Sequence, residues 1–430
     1  MRLSRRGVVL GVAALAGCGI EPRLPDVSRI YRYLPEVDPA MRRPLVTIPG
    51  TLGSRLRVGT DGPFAWGGPN RLSLDGTDPE AARLLALPFA DDAAVPLDRL
   101  ETRLRPDGVM RRANARLLGG TVEEIVYDGL VEALNAGGYE FSRTEAEEAA
   151  RAGNNPGSLE FPYDWRRDIV EAARALDAFV ERKAVQVERV RRARYGRAPA
   201  AAAIRFDFVA HSMGCLVLRY WLMYGAQDLP ADGGMPDLTW AGARRAACAI
   251  FVAPPNLGSI SAFSSLLTGR DFGFLQPRYR PGLFGTHPSV YQLMPRARHN
   301  RVRRDGADGA PAGDLYDPGL WERNGWGVLD PREDETLAVL MPAIASAAER
   351  RDRARRHLAR MLARAAQLHR ALDVGGTPPA ADLFLVVGTG LDTPAAVWLD
   401  RDGRRIAGTG LEEGDGVVLR ASALSDERQG

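Results

Sequence analysis

The chain has 430 residues and a mass of 46.7 kDa, enough for one large domain with insertions or for two domains. Hydrophobic residues make up 45% and charged residues 26%, which excludes a disordered chain, a collagen-like rod and a multi-span membrane protein. A net charge of +3, with arginines scattered rather than striped and Lys183 the only lysine, excludes nucleic acid as the main partner. Three cysteines, Cys18, Cys215 and Cys248, cannot build a disulfide scaffold or a zinc ribbon.

Arg2, Arg5 and Arg6 precede an apolar run from Val8 to Ala16. The run is too short to cross a hydrocarbon core of roughly 30 Å as a helix, so it reads as an export signal. Its end, Leu15-Ala16-Gly17-Cys18, resembles the lipobox of bacterial lipoproteins, and Ser4-Arg5-Arg6 resembles a twin-arginine signal. The resemblance implies cleavage after residue 17, lipidation of Cys18, and a periplasmic or outer-membrane-anchored protein. Residues 18–43, with four prolines from Glu21 to Arg43, then read as a tether to the membrane surface.

Pro44 to Gly50 is a short apolar run closed by Pro-Gly and suits a buried strand. Ser158 to Trp165 is a second strand, and Ile169 to Arg194 carries apolar residues at helical spacing. Arg205 to Ala210 is a strand followed directly by a helix from Met213 to Tyr224. Ala246 to Ala253 and Leu383 to Gly388 complete five strands. Alternation of strands with helices predicts an α/β fold whose mostly parallel sheet is covered on both faces. Between the last two strands, more than a hundred residues lack strand character and include an arginine-rich helix from about Glu333 to Leu372. They read as a cap or lid over residues 264–375, inserted between two parts of the core, 44–263 and 376–430. Asp402-Gly403, within Ala395 to Ile406, signals a hairpin.

Phe208-Val209-Ala210-His211-Ser212-Met213-Gly214 has the pattern of a nucleophile elbow between a strand and a helix. Such a turn strains the serine, and it needs small residues two positions before and two after it. Ala210 stands where glycine is usual. The helix beginning at Met213 aims its amides at a developing oxyanion. Thr51, possible partner in a two-donor oxyanion hole with Met213, follows a strand in Ile48-Pro49-Gly50-Thr51. Glycines alone support a plain turn equally well. Gly414-Asp415-Gly416 taken alone reads as a solvated turn.

PLVTIPGTLGSRL (44–56), FPYDWR (161–166), FVAHSMGCLVLRYWL (208–222), PSVYQLMP (288–295) and GDGVV (414–418) together resemble the lecithin:cholesterol acyltransferase family. That family includes phospholipid:diacylglycerol acyltransferases and lysosomal phospholipases. The resemblance implies an α/β-hydrolase fold with a cap and lid, and a Ser-Asp-His triad acting on phospholipids or other lipid esters. It implies Ser212 as nucleophile, Asp415 as acid, and the Thr51 and Met213 N–H groups as oxyanion hole. Tyr163, Asp164 and Trp165 read instead as packing, with a salt bridge to Arg166. The family chemistry needs no cofactor, and the histidines and carboxylates show no metal-ligand spacing.

The family order of Ser, acid, His places the base after Asp415, where this sequence has fifteen residues and no histidine. His211, His287, His299, His357 and His369 all precede the acid, and each reads as structural or solvated. The pattern predicts a further strand and a histidine-bearing loop beyond Gly430. The expected activity is O-acyl transfer from a lipid ester through acyl-Ser212. Water as acceptor makes the chain a lipase or phospholipase, and a true stop at Gly430 makes it a catalytically impaired lipid-binding lipoprotein.

Overall fold

The computed structural model describes residue 38 and residues 40–425, apart from 70–71, 118–119, 126, 131–156, 272–277 and 380. The export signal, Cys18 and most of the tether lie outside the described residues. So does the stretch after Ser425.

Five apolar runs become neighbouring parallel strands: β1 (Leu45–Ile48), β2 (Ser158–Glu160), β3 (Phe206–His211), β4 (Ala246–Val252) and β5 (Asp382–Val386), in the order β5-β4-β3-β1-β2. The fold is α/β. Ile48 lies opposite Ala210, Ala210 opposite Phe251, and Phe251 opposite Leu385. This register aligns the carboxyl ends of four strands, the edge where open α/β sheets bind their ligands.

Helix α1 (Ile169–Tyr195) buries Ile169, Ala173, Leu176, Val180, Ala184 and Val187 along one stripe. It stops at Gly196, left-handed at φ 71°. Helix α2 (Met213–Tyr224) is buried on every side except at Arg219, as an apolar helix enclosed by protein should be. Helix α3 (Ala347–Asp373) starts at Ser346, whose side chain accepts from the Glu349 N–H in a capping-box pattern. Leu358, Met361, Leu362, Ala365 and Leu368 form its buried stripe.

Several expectations need correction. The arginine-rich helix is two helices, Asp334–Leu340 and α3, because Pro342 has no N–H to continue the first. The second strand ends at Glu160, before Pro162, rather than reaching Trp165. The region expected to lack strands contributes Val302–Arg304, which pairs in parallel with β6 (Leu391–Leu399). The hairpin of β6 and β7 (Ile406–Gly414) is longer than its turn signal suggested. An antiparallel sheet of Ser54–Val58, Phe64–Trp66 and Leu104–Val109 also gave no readable pattern, since Gly59, Gly62, Pro63 and Pro106 interrupt it. The sheet is not covered on both faces throughout. Leu383, Phe384, Leu385 and Val386 of edge strand β5 are each 45–55% exposed. No described helix is long and apolar enough to cross a membrane.

Candidate active site

Strand β3 delivers the chain to Ser212 and α2 leaves from it. Ser212 sits at φ 50°, ψ −123°, a conformation that a side chain rarely adopts. Two hydrogen bonds hold it there. Its N–H donates to the Val252 carbonyl at 2.9 Å, and its carbonyl accepts from the Cys215 N–H at 2.9 Å. A Cβ at position 214 would stand 2.5 Å from the Pro49 carbonyl oxygen and 2.8 Å from that of Ile48, so only glycine fits. Position 210 lies inside the sheet, opposite Ile48 and Phe251, and has room for a methyl group. That difference explains why the pattern survives alanine on one side of the serine.

The turn after β1 meets the elbow backbone to backbone. A Cβ on Gly50 would lie 2.8 Å from the Ser212 Cβ and 3.2 Å from the His211 carbonyl oxygen. Gly53 closes the turn by donating to the Gly50 carbonyl at 3.0 Å, and Leu52 within it has φ 63°. The Thr51 hydroxyl lies 3.1 Å from the Met213 sulfur, which brings the two expected oxyanion donors side by side. Neither the Thr51 nor the Met213 amide has a hydrogen-bond partner among the described residues. Two unengaged amides beside a strained serine suit an anionic oxygen.

Asp415 follows β7 and bridges to Leu391 at the start of β6. It lies beside Gly388, just beyond the carboxyl end of β5, where a Cβ on that glycine would be 2.6 Å from its own. Its Oδ1 accepts from the Val417 and Val418 amides at 2.8 and 2.7 Å, which orients the carboxylate. Burial holds the His211 imidazole below its ordinary pKa, and the negative charge of Asp415 partly opposes this. Thus Ser212, Met213, Thr51 and Asp415 gather at one edge of the sheet.

No histidine is hydrogen-bonded to Ser212 among the described residues. The His211 Nδ1 instead meets the Tyr127 hydroxyl at 2.8 Å. His357 accepts from the Ala90 amide at Nδ1 (2.8 Å) and donates to the Gly285 carbonyl from Nε2 (2.8 Å). His369 meets the Tyr316 hydroxyl (3.2 Å) and the Gln292 carbonyl (2.8 Å). His287 donates to the Leu85 carbonyl at 3.1 Å. Burial pushes His287 down to about 3, and His357 and His369 down to about 4, so all three are neutral packing groups at pH 7.

Asp164 and Arg166 pair at 2.6 Å in the interior, where Arg166 also donates to the Leu85 carbonyl at 2.9 Å and the Thr102 hydroxyl at 2.9 Å. Burial pushes the Asp164 carboxyl up, but the guanidinium outweighs it and holds the group below its ordinary value. Cys215 and Cys248 are free thiols, the first buried and the second half-buried. No group of three or more His, Cys, Asp or Glu able to hold a metal occurs among the described residues. Tyr127 is a site residue that sequence reasoning missed. Its contacts are 77 and 84 residues distant in the chain, and no spacing rule reaches so far.

Comparison with known proteins bears on the family resemblance. Residues 98–308 match the lecithin:cholesterol acyltransferase family. The resemblance read from the sequence is thereby borne out. The matched span holds FPYDWR, the Ser212 elbow and PSVYQLMP, whereas Thr51 and Asp415 lie outside it. Lipid acyltransferase or esterase activity is the class this family suggests, with lipid esters as substrates. A solved structure described as "The crystal structure of Tle4-Tli4 complex" is similar at a TM-score of 0.49 and 15% identity, over 90% of each chain. No curated protein is matched.

Proposed function

We propose that this protein is a lipid-ester O-acyltransferase that works through a covalent acyl-Ser212. The observation that carries the reading is the strained Ser212 flanked by the free amides of Thr51 and Met213. The Ser212 Oγ attacks the ester carbonyl carbon and gives its proton to a base. Negative charge gathers on the carbonyl oxygen and is met by the two amides. Collapse breaks the bond to the leaving alcohol, which takes up a proton. An acceptor alcohol then repeats the sequence on the acyl-serine, while water in its place gives a lipase or phospholipase. Asp415 is the acid of this reading. None of the five histidines is assigned as base. We place the protein in the bacterial envelope, exported and anchored through lipidated Cys18, with its site facing lipid.

The test is a fluorophosphonate probe followed by turnover of a phospholipid with and without a long-chain alcohol. Labelling at Ser212, abolished in Ser212→Ala, and a new ester in the presence of alcohol support the transferase. Free fatty acid alone in both cases makes it a hydrolase. Among the described residues the Ser212 hydroxyl has no histidine partner, and the reading that fits this is a lipid-binding lipoprotein on a hydrolase scaffold. That reading predicts no labelling, with phospholipid binding unchanged in Ser212→Ala.

A further inference from the structure

We propose that Tyr127 is a positioning residue that clamps the oxyanion turn onto the nucleophile elbow by fixing the Pro49–Gly50 peptide. This deepens the reading above and rests on it. The carbonyl of Pro49 and the N–H of Gly50 belong to one planar peptide unit. Tyr163 donates its hydroxyl hydrogen to that carbonyl at 2.8 Å, and the Tyr127 oxygen accepts from that N–H at 2.9 Å. Two buried phenols therefore hold both ends of the peptide that precedes the Thr51 amide. A rotation of this plane would swing Thr51 away from Met213.

Tyr127 reaches further, to the elbow itself. Its oxygen lies 2.8 Å from the His211 Nδ1, with the two rings edge to face at 5.6 Å. The hydroxyl has one hydrogen, and His211 is its single acceptor among the described residues. We assign that hydrogen to Nδ1, which makes the imidazole neutral with its proton on Nε2. The chain Gly50 N–H, Tyr127 O–H, His211 Nδ1 is directional, and it joins the turn to the residue before the nucleophile. Tyr127 is itself braced. Its N–H donates to the Arg111 carbonyl at 2.9 Å, and Arg111 pairs at 3.0 Å with Glu160 of β2. Tyr127 as a whole is only 6% exposed. Burial pushes its hydroxyl up to about 12, so it stays a hydrogen donor throughout the working pH range.

The experiment uses the full chain, a fluorophosphonate, and Tyr127→Phe. Loosening one oxyanion donor without removing it is expected to lower the limiting labelling rate about ten-fold, less than the loss of a donor outright. The concentration for half-maximal rate should stay within about two-fold, since the clamp touches no substrate. Tyr291→Phe removes another buried tyrosine bond, 3.0 Å to the Gly285 carbonyl, and is expected to leave the rate alone. The nitrogen resonances of His211 supply a readout independent of catalysis. Wild type should show an unprotonated Nδ1, and Tyr127→Phe a mixture of tautomers. If Tyr127→Phe does not fold, Tyr163→Phe frees the other end of the same peptide and should give the same loss of rate alone. A protonated Nδ1 in wild type overturns the proposal even if nothing labels. Equal labelling rates in wild type and Tyr127→Phe overturn it as well. An unlabelled wild type with the expected imidazole refutes the nucleophile reading and leaves the clamp standing.

Discussion

Replacing Ser212 with glycine should make the protein more stable while removing the proposed nucleophile. Ser212 is held at φ 50°, ψ −123° by bonds to Val252 on one side and Cys215 on the other. A residue with a Cβ in such a region costs on the order of 1–3 kcal/mol. Glycine escapes that cost but loses more freedom on folding, roughly 0.5–1 kcal/mol relative to alanine. The mid-range difference leaves Ser212→Gly about 1 kcal/mol more stable than Ser212→Ala, which keeps the strain. Because the Ser212 hydroxyl has no hydrogen-bond partner among the described residues, Ser212→Ala should stay within about 0.5 kcal/mol of wild type. Equilibrium urea unfolding of the three proteins, read as midpoint at constant slope, measures this directly. Neither variant should react with a fluorophosphonate. A glycine variant no more stable than the alanine variant would show that the elbow stores no strain.

Arg166→Leu should cost about 3–5 kcal/mol, because it strands the buried Asp164 carboxylate and removes one of the two donors to the Leu85 carbonyl. The double change of Asp164 and Arg166 to leucine should recover part of that loss in a thermal melt. Gly214→Ala presses a methyl group to 2.5 Å from the Pro49 carbonyl; a loss of about 1–3 kcal/mol and a slower labelling of Ser212 are expected. Stability should also depend on pH in two opposing ways. His287, His357 and His369 have folded pKa values below the unfolded one, so the unfolded chain binds more protons and stability falls as pH drops from about 6.5 toward 4. Burial raises the Glu171 carboxyl to about 7, so there the folded chain binds the extra proton, and stability falls as pH rises from about 4.5 to 7. Three protons against one leave a net acid loss on the order of 3 kcal/mol per pH unit near pH 5, and Glu171→Gln should steepen it. Urea midpoints at pH 7.0, 6.0 and 5.0 check both signs.

Where local pattern and tertiary context agreed, the sequence was readable. Met213–Tyr224 was found residue for residue, because its apolar run is bounded by the elbow before it and Gly225 after it. The core strands were found within two residues of their ends, apart from Ser158–Glu160, since each is a continuous apolar run, as in parallel sheets, although β5 is exposed here. The antiparallel pieces between Ser54 and Ile125 were not, because their residues alternate poorly and are paired by distant neighbours. At the site, the elbow was visible through spacing, Thr51 faintly through its glycine-bracketed turn, and Asp415 only through likeness to a family. Tyr127 and the clamp on the Pro49–Gly50 peptide had no local signature at all.

The surroundings of Ser212 also limit where a base can stand. Gly50 and the turn after β1 close one side, the sheet row through Ala210 and Phe251 lies beneath, and α2 rises on another. His211 is turned to Tyr127, and the buried histidines are bonded elsewhere. The side toward Asp415 and Gly388 is different. Val386, Leu391 and Val417 around it are 49%, 58% and 64% exposed, and Asp415 is only half-buried. A proton acceptor must come within about 2.6–3.2 Å of the Ser212 hydroxyl, and among the described residues this is the least enclosed direction. A small base from solution should therefore fit there. Added imidazole is expected to raise the rate of Ser212 labelling in proportion to its concentration, most strongly above the pKa of imidazole, where it is a free base. Asp415→Asn should weaken the effect by removing the charge that steadies the imidazolium. A labelling rate indifferent to imidazole at pH 7.5, with unmodified Ser212 accessible to the probe, would mean that the open side does not lead to the nucleophile.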